Sequence, residues 1–221
     1  MKYRYLSHIV EEGMPVYGGK AEIKVRPVKA IAGGDSANVS SVSIVNHWGT
    51  HIDLPRHFFD DGPAVCDYPG SFWFFRSPCV VPVTLKPSQL LRCDRWCASV
   101  REGNDIILFR SMWSRRRSKR VYSLSNPGVD PEVAEYLRSE FANIRAIGID
   151  WVSVSPFKDR RAGRNAHRAF LDPGREGHPI AIIEDMELGG SMKGLREIIA
   201  LPFRISGIDS APATIIGAFG D

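Results

Sequence analysis

Asn46-His47-Trp48-Gly49-Thr50-His51-Ile52-Asp53-Leu54-Pro55-Arg56-His57-Phe58 holds three imidazoles and a carboxylate within a short stretch, and half of the chain's six histidines. These are the donors that hold borderline divalent metals such as Zn²⁺, or Mn²⁺ where oxygen donors are more numerous. His47 and His51 stand at the i, i+4 spacing of helical zinc sites. Gly49, Thr50 and the following Pro55 oppose a helix, and the lead-in Ser41-Val42-Ser43-Ile44-Val45 favours a strand. In an extended chain, residues 47, 51 and 53 face one side. A straight strand would part the His47 and His51 backbones by roughly 13 Å, so a kink or bulge at Gly49 is expected to draw them together.

Working outward, apolar runs alternate with Gly and Pro along the chain. Strands are expected at Ser40–Val45, Cys79–Leu85, Asp105–Phe109, Ala146–Ile149, Ile180–Ile183 and Ala213–Ile216. Pro82 assigns its strand to an edge or a bulge. A helix is expected after Asp130, a suitable N-cap, with Pro131 in the first position and Val133, Tyr136 and Leu137 as its buried stripe. Further helices are expected at Ser191–Ile199 and within Pro87–Val100. Strands interleaved with helices indicate a single α/β or mixed domain.

The composition is that of an ordinary globular chain: 221 residues, 43% apolar and 24% charged. No apolar stretch of about 20 residues suggests a membrane span, and Met1 to His8 does not read as a secretory signal. Cys66, Cys79, Cys93 and Cys97 fit no zinc-finger spacing and are expected as free thiols of a cytoplasmic protein. The net charge of +4 is concentrated in Arg110–Arg120. This run matches no nucleic-acid module and is expected to be a solvated basic loop; no nucleic-acid or membrane partner is anticipated.

Two histidines and one carboxylate leave positions open on a metal, as catalytic centres require. A metal there lowers the pKa of its water toward neutrality and polarises a carbonyl. His57, beyond Pro55, is the candidate for proton transfer. Trp48 and Trp113 are candidates for an aromatic substrate pocket or, alternatively, for core packing.

The run from His47 to His57 fits HxGTHxDxPxH at every defined position, and the chain thereby resembles the cyclase-type metal-dependent hydrolases, which include bacterial kynurenine formamidases and isatin hydrolases. Fainter likenesses lie at Leu6–Tyr17, Asn126–Leu137, Ile147–Asp150 and Leu201–Ala213. The resemblance implies a swivelling β/β/α domain with a mixed, barrel-like central sheet. It also implies a homo-oligomer, dimer or tetramer, and one or two divalent ions, Zn or Mn. His47, His51 and Asp53 would hold one ion, with Asp53 bridging to a second on His167 and Glu184. His57 would transfer protons, and Tyr17 would stand where formamidases carry a substrate-contacting Trp. Asp172–Pro179 reads as an inserted loop, which leaves His178 and Glu187 as rivals for the last ligand position. The implied activity is hydrolysis of an amide, lactam or related acyl bond of a small molecule. A metal-dependent cyclase or dehydratase and a non-catalytic metal-binding module are the alternatives.

Overall fold

The computed structural model describes residues 1–220. Nine strands form one mixed sheet: β1 (Lys2–Tyr5), β2 (His51–Asp53), β3 (Phe74–Phe75), β4 (Pro78–Pro82), β5 (Ile106–Arg110), β6 (Ala146–Ile149), β7 (Ala181–Glu184), β8 (Leu195–Pro202) and β9 (Ser210–Phe219). The strand order is β3-β8-β9-β2-β7-β6-β5-β4, with β1 also paired to β9. Strands β4, β5, β6 and β7 run parallel, whereas β2 is antiparallel to both β7 and β9. The sheet curls until β8 and β4 approach each other, giving the nearly closed, barrel-like form implied by the resemblance. Pro82 ends β4, the outermost strand on its side, where a missing N–H costs little pairing.

The parallel strands are continuous apolar runs because both their faces are covered. One core packs Ile107, Phe109, Ile147, Ile149 and Ile182 against the helices. The other packs Ile52, Leu108, Ile183, Ile198 and Ile215 inside the curled sheet. Helix α1 spans Arg120–Leu124, α2 spans Pro131–Glu140 and α3 spans Arg160–Leu171. Asp130 caps α2 through the Glu132 N–H, with Pro131 in the first turn as expected.

Two helical expectations are overturned. Ser191–Ile199 is not a helix; Leu195–Pro202 is a strand, with Ile198, Ala200 and Pro202 buried in alternation. That period of two, with adjacent β-branched residues, outweighs helical spacing. Pro87–Val100 holds only the short strand Leu90–Leu91 and a 3₁₀ turn at Arg95–Ser99. Conversely, α3 was not anticipated, because Gly163 and four arginines obscure its buried stripe of Gly163, Ala166, His167 and Phe170.

The loop between α3 and β7 is held by a buried cation. Arg138 on α2 donates to the carbonyls of Ala169, Phe170, Asp172, Arg175, Glu176 and Gly177. It is 6% exposed, so its guanidinium replaces water for that whole turn. Arg138→Met should keep the aliphatic packing yet orphan those carbonyls. A loss of about 3 kcal/mol in urea denaturation is expected, and an unchanged midpoint would contradict this role.

Candidate metal centre

Gly49 adopts φ +75°, a conformation most side chains avoid, and the chain turns there before β2 begins. The turn brings the His47 and His51 rings to 5.3 Å between centroids, fulfilling the expectation of a kink. Thr50 pins the turn by donating to the Asp185 carbonyl while accepting from the His8 N–H. Strand β2 then points His51 and Asp53 to one face, both almost wholly buried.

Two further donors arrive from the other side of the sheet. Glu184 ends β7, in register with His51. Its Oε1 accepts from Val154 N–H (2.7 Å) and Ser153 Oγ–H (3.0 Å), which leaves Oε2 toward His51 Nε2 at 3.5 Å. His167 projects from α3, where the Gly163 carbonyl accepts its Nδ1–H at 2.9 Å. Its Nε2 is thereby directed at Asp53 Oδ2 (3.4 Å) and Glu184 Oε1 (3.6 Å). Gly163 lets α3 pack closely on the Ser153–Ser155 loop, because a Cβ there would run into the Ser155 side chain. His51 is oriented likewise, with Nδ1 on the Gly49 carbonyl at 2.8 Å.

Asp53 is the hub. Oδ1 faces His47 Nδ1 (3.0 Å) and His51 Nε2 (3.5 Å), and Oδ2 faces His167. Both oxygens are buried without a regular hydrogen bond. A carboxylate so placed needs positive charge, and a divalent cation among these imidazoles meets that need. His47, Asp53 and His57 offer one set of donors, and His51, Asp53 and Glu184 another. The five residues expected as ligands lie together around Asp53, but the sets divide differently from the expectation: His57 joins His47 and Asp53, His51 goes with Glu184, and His167 stands beside Asp53 and Glu184 outside both sets. The rival residues lie elsewhere: His178 Nε2 bonds to the Ile144 carbonyl, and Glu187 faces His8 and the Gly189 N–H.

One residue of the site escaped sequence reasoning. Asp209, in the turn between β8 and β9, accepts on Oδ2 from His47 Nε2 and His57 Nδ1, each at 2.8 Å. Asn46 Nδ2–H holds its other oxygen at 2.7 Å. An ionised carboxylate only accepts, so both imidazole nitrogens donate. His47 Nδ1 is then free for a cation and His57 Nε2 for a proton. The His57 ring packs 4.2 Å from that of His47 and 5.6 Å from that of His167. No local pattern marks Asp209, which reaches the cluster only through sheet pairing.

Tyr17 is half-buried and meets Phe157 edge to face. Trp48 packs against the small cluster of Met14, Val16, Ala21 and Ile23. Trp113 takes the core alternative: it is 1% exposed and donates its indole N–H to the Leu85 carbonyl. The charge of the basic segment is largely solvated, as expected, apart from two residues. Arg110 binds the carbonyls of Leu188 and Gly190, and Arg117 pairs through two bonds with Asp185, which also accepts from Tyr122. Arg115, Arg116, Lys119 and Arg120 are exposed.

Fold and donor set define an α/β protein with a divalent-metal centre. The sequence model of the family described as putative cyclase matches residues 5–156, most of the chain, and the chain belongs to that family. A kynurenine formamidase from Geobacillus thermodenitrificans is 26% identical over 209 residues, covering 94% of this chain and 92% of that protein. Cyclase-like protein 2 of Oryza sativa subsp. japonica is 26% identical over 219 residues, covering 96% and 77%. Among solved structures, isatin hydrolase A from Labrenzia aggregata superposes with a TM-score of 0.79 at 20% identity, covering 98% and 93% of the two chains. A predicted metal-dependent hydrolase from Bacillus stearothermophilus gives 0.75 at 24%, covering 98% and 97%. At these identities the superpositions establish the shared fold.

Without a cation the site must hold protons instead. Burial pushes His47 and His167 down, but the carboxylates they meet outweigh it and raise each to about 10: Asp209 and Asp53 for His47, Asp53 and Glu184 for His167. Stabilisation from these raised groups is complete below the ordinary value of about 6.5 and is lost as pH climbs through 10. Metal-stripped protein should therefore lose thermal stability across that interval more steeply than its His167→Gln variant. Zinc uptake at pH 7 should release protons, measured by calorimetry in buffers of different ionisation enthalpy. Equal slopes and no proton release would contradict this electrostatic account.

Proposed function

We propose that the protein is a metal-dependent hydrolase that adds water across an amide, lactam or related acyl bond of a small molecule. The observation that carries this reading is the convergence of His47, His51 and His167 on the buried carboxylates of Asp53 and Glu184, with both Asp53 oxygens lacking a regular hydrogen bond. The names of the similar proteins, kynurenine formamidase and isatin hydrolase, support a carbon–nitrogen bond as the target. Three imidazoles and two carboxylates suit zinc or manganese, and the sharing of Asp53 between donor sets suits two ions.

When bound, the metal supplies a Lewis acid that acidifies a water and polarises the substrate carbonyl. The protein residues do the rest. The Gly49 and Gly163 carbonyls fix the His51 and His167 tautomers, so the donor atoms are set before a ligand arrives. Asp209 accepts from His57 Nδ1–H and so orients the ring with Nε2 as the nitrogen that takes a proton from the attacking water and returns it to the leaving nitrogen. Tyr17 and Phe157 offer an aromatic wall for the substrate.

His51→Ala and Asp53→Asn should lose metal and activity together, read by metal analysis and a screen of N-formyl aryl amines, isatins and lactones. His57→Ala should retain metal while kcat falls about 10²- to 10⁴-fold. Full hydrolysis by metal-free His51→Ala protein would rule the mechanism out. Absence of any cleavage by metal-loaded wild-type protein would favour a cyclase or dehydratase.

The reading includes a homodimer in a reducing compartment such as the cytoplasm. Four free thiols fit such a compartment, and no helix among the described residues is long and apolar enough to cross a membrane. The antiparallel ribbon of Lys24–Lys29 and Val39–Ser43 is exposed along its length, with Val25 paired to Val42 and both more than 60% exposed. Two such strands alone are marginal in water and call for a covering surface. Val25→Asp with Val42→Asp should shift the particle to monomer mass in light scattering, and a wild-type monomer would remove this part of the reading.

A further inference from the structure

One arginine of the basic segment faces inward and has no part in the proposed chemistry. Arg117, in the turn before α1, donates Nε–H to Asp185 Oδ1 at 3.1 Å and Nη2–H to Oδ2 at 2.9 Å, the parallel fork of a guanidinium on a carboxylate. The Tyr122 hydroxyl, from α1, donates to Oδ1 as well. The Asp185 side chain is 2% exposed and that of Arg117 14%. His8 Nε2 stands 3.9 Å from Oδ1, beyond hydrogen-bond range. The Asp185 backbone is engaged too: its N–H donates to the Trp151 carbonyl at 3.0 Å, and its carbonyl accepts from the Thr50 hydroxyl. Every polar group of this residue is therefore occupied.

Asp185 stands where its conformation matters to the site. Buried charge pairs add little folding stability over apolar packing of the same size, and fixing a geometry is their better-attested use. Asp185 has φ +53°, which residues with a side chain rarely adopt, and it follows directly on Glu184 at the end of β7. Through that peptide bond it is tied to one candidate ligand. Through Thr50, the residue before His51, it is tied to a second. His51 Nε2 and Glu184 Oε2 lie 3.5 Å apart, and Ser153 and Val154 grip only the other Glu184 oxygen. The place of Oε2 beside His51 thus depends on how the backbone is set at residues 184 and 185.

We propose that Asp185, clamped by Arg117 and Tyr122, is a positioning residue that sets the span between Glu184 and His51. The basic segment then governs how tightly the site holds a divalent cation, although none of its side chains is among the donors. This role rests on the metal-centre reading and deepens it.

Cobalt(II) titrated into the metal-stripped full chain tests it, with visible absorption reporting both uptake and coordination geometry. Arg117→Gln should weaken cobalt binding roughly 10- to 100-fold and shift the absorption band. Arg117→Lys should recover part of the affinity, since an ammonium restores the charge without the fork. Arg117→Gln leaves the Asp185 charge buried and alone. If that variant does not fold, Arg117→Gln combined with Asp185→Asn carries the test, because both residues are then neutral and asparagine tolerates a positive φ; the same loss is expected. Lys119→Gln, exposed in the same segment, should change neither affinity nor band. Lower thermal stability with cobalt affinity and band unaltered would mean that the pair only braces the fold, which overturns the positioning role. An equal loss in Lys119→Gln overturns it too. No cobalt uptake by the wild type removes the metal-centre reading and this role with it, whereas uptake that is the same in wild type and variants removes the role alone.

Discussion

A carboxylate buried without a regular hydrogen bond is the constraint around which this protein is organised. Asp53 lies on the central antiparallel strand of the sheet. Its charge is tolerable only because three imidazoles face it; they outweigh burial and hold its pKa well below the usual carboxylate range. Everything that aims those imidazoles therefore serves one electrostatic end. The bend at Gly49, the carbonyls of Gly49 and Gly163, and the Asp209 carboxylate each fix one ring nitrogen and free the other.

The topology makes this economical. Strand β2 runs antiparallel between β7 and β9, so each neighbour delivers one acidic residue to the site: Glu184 from β7, and Asp209 from the turn leading into β9. The helix that supplies His167 packs beside β7 and is seated by the Ser153–Ser155 loop that also grips Glu184. Fold and donor set are consequently hard to separate. The parallel strands and their helices form the rigid half, and the curled antiparallel strands close the other side.

Much of this was legible from residues that act locally. Histidine spacing, Gly49 and the β-branched lead-in foretold a kinked strand carrying metal donors. Asp130-Pro131 foretold α2. His167 and Glu184 came from likeness to a family rather than from local pattern, since a lone imidazole and a lone carboxylate in apolar surroundings carry no signature. Asp209 was illegible because its partners are more than 150 residues away in sequence. Helix α3 was hidden by its glycine, which reads as a breaker although it serves as a contact point with Ser155. Strand β8 was misread because its isoleucines suit either period until their burial is known.

Glu184 and Asp185 are adjacent at the end of β7 and serve opposite sides of the molecule. Glu184 turns inward to the imidazoles, while Asp185, at φ +53°, receives Arg117 and Tyr122. A single peptide unit thus acts as the fulcrum between the metal-binding floor and the arginine-rich surface. Drift in that outer segment is constrained by the chemistry it backs, even though none of its side chains belongs to the donor set.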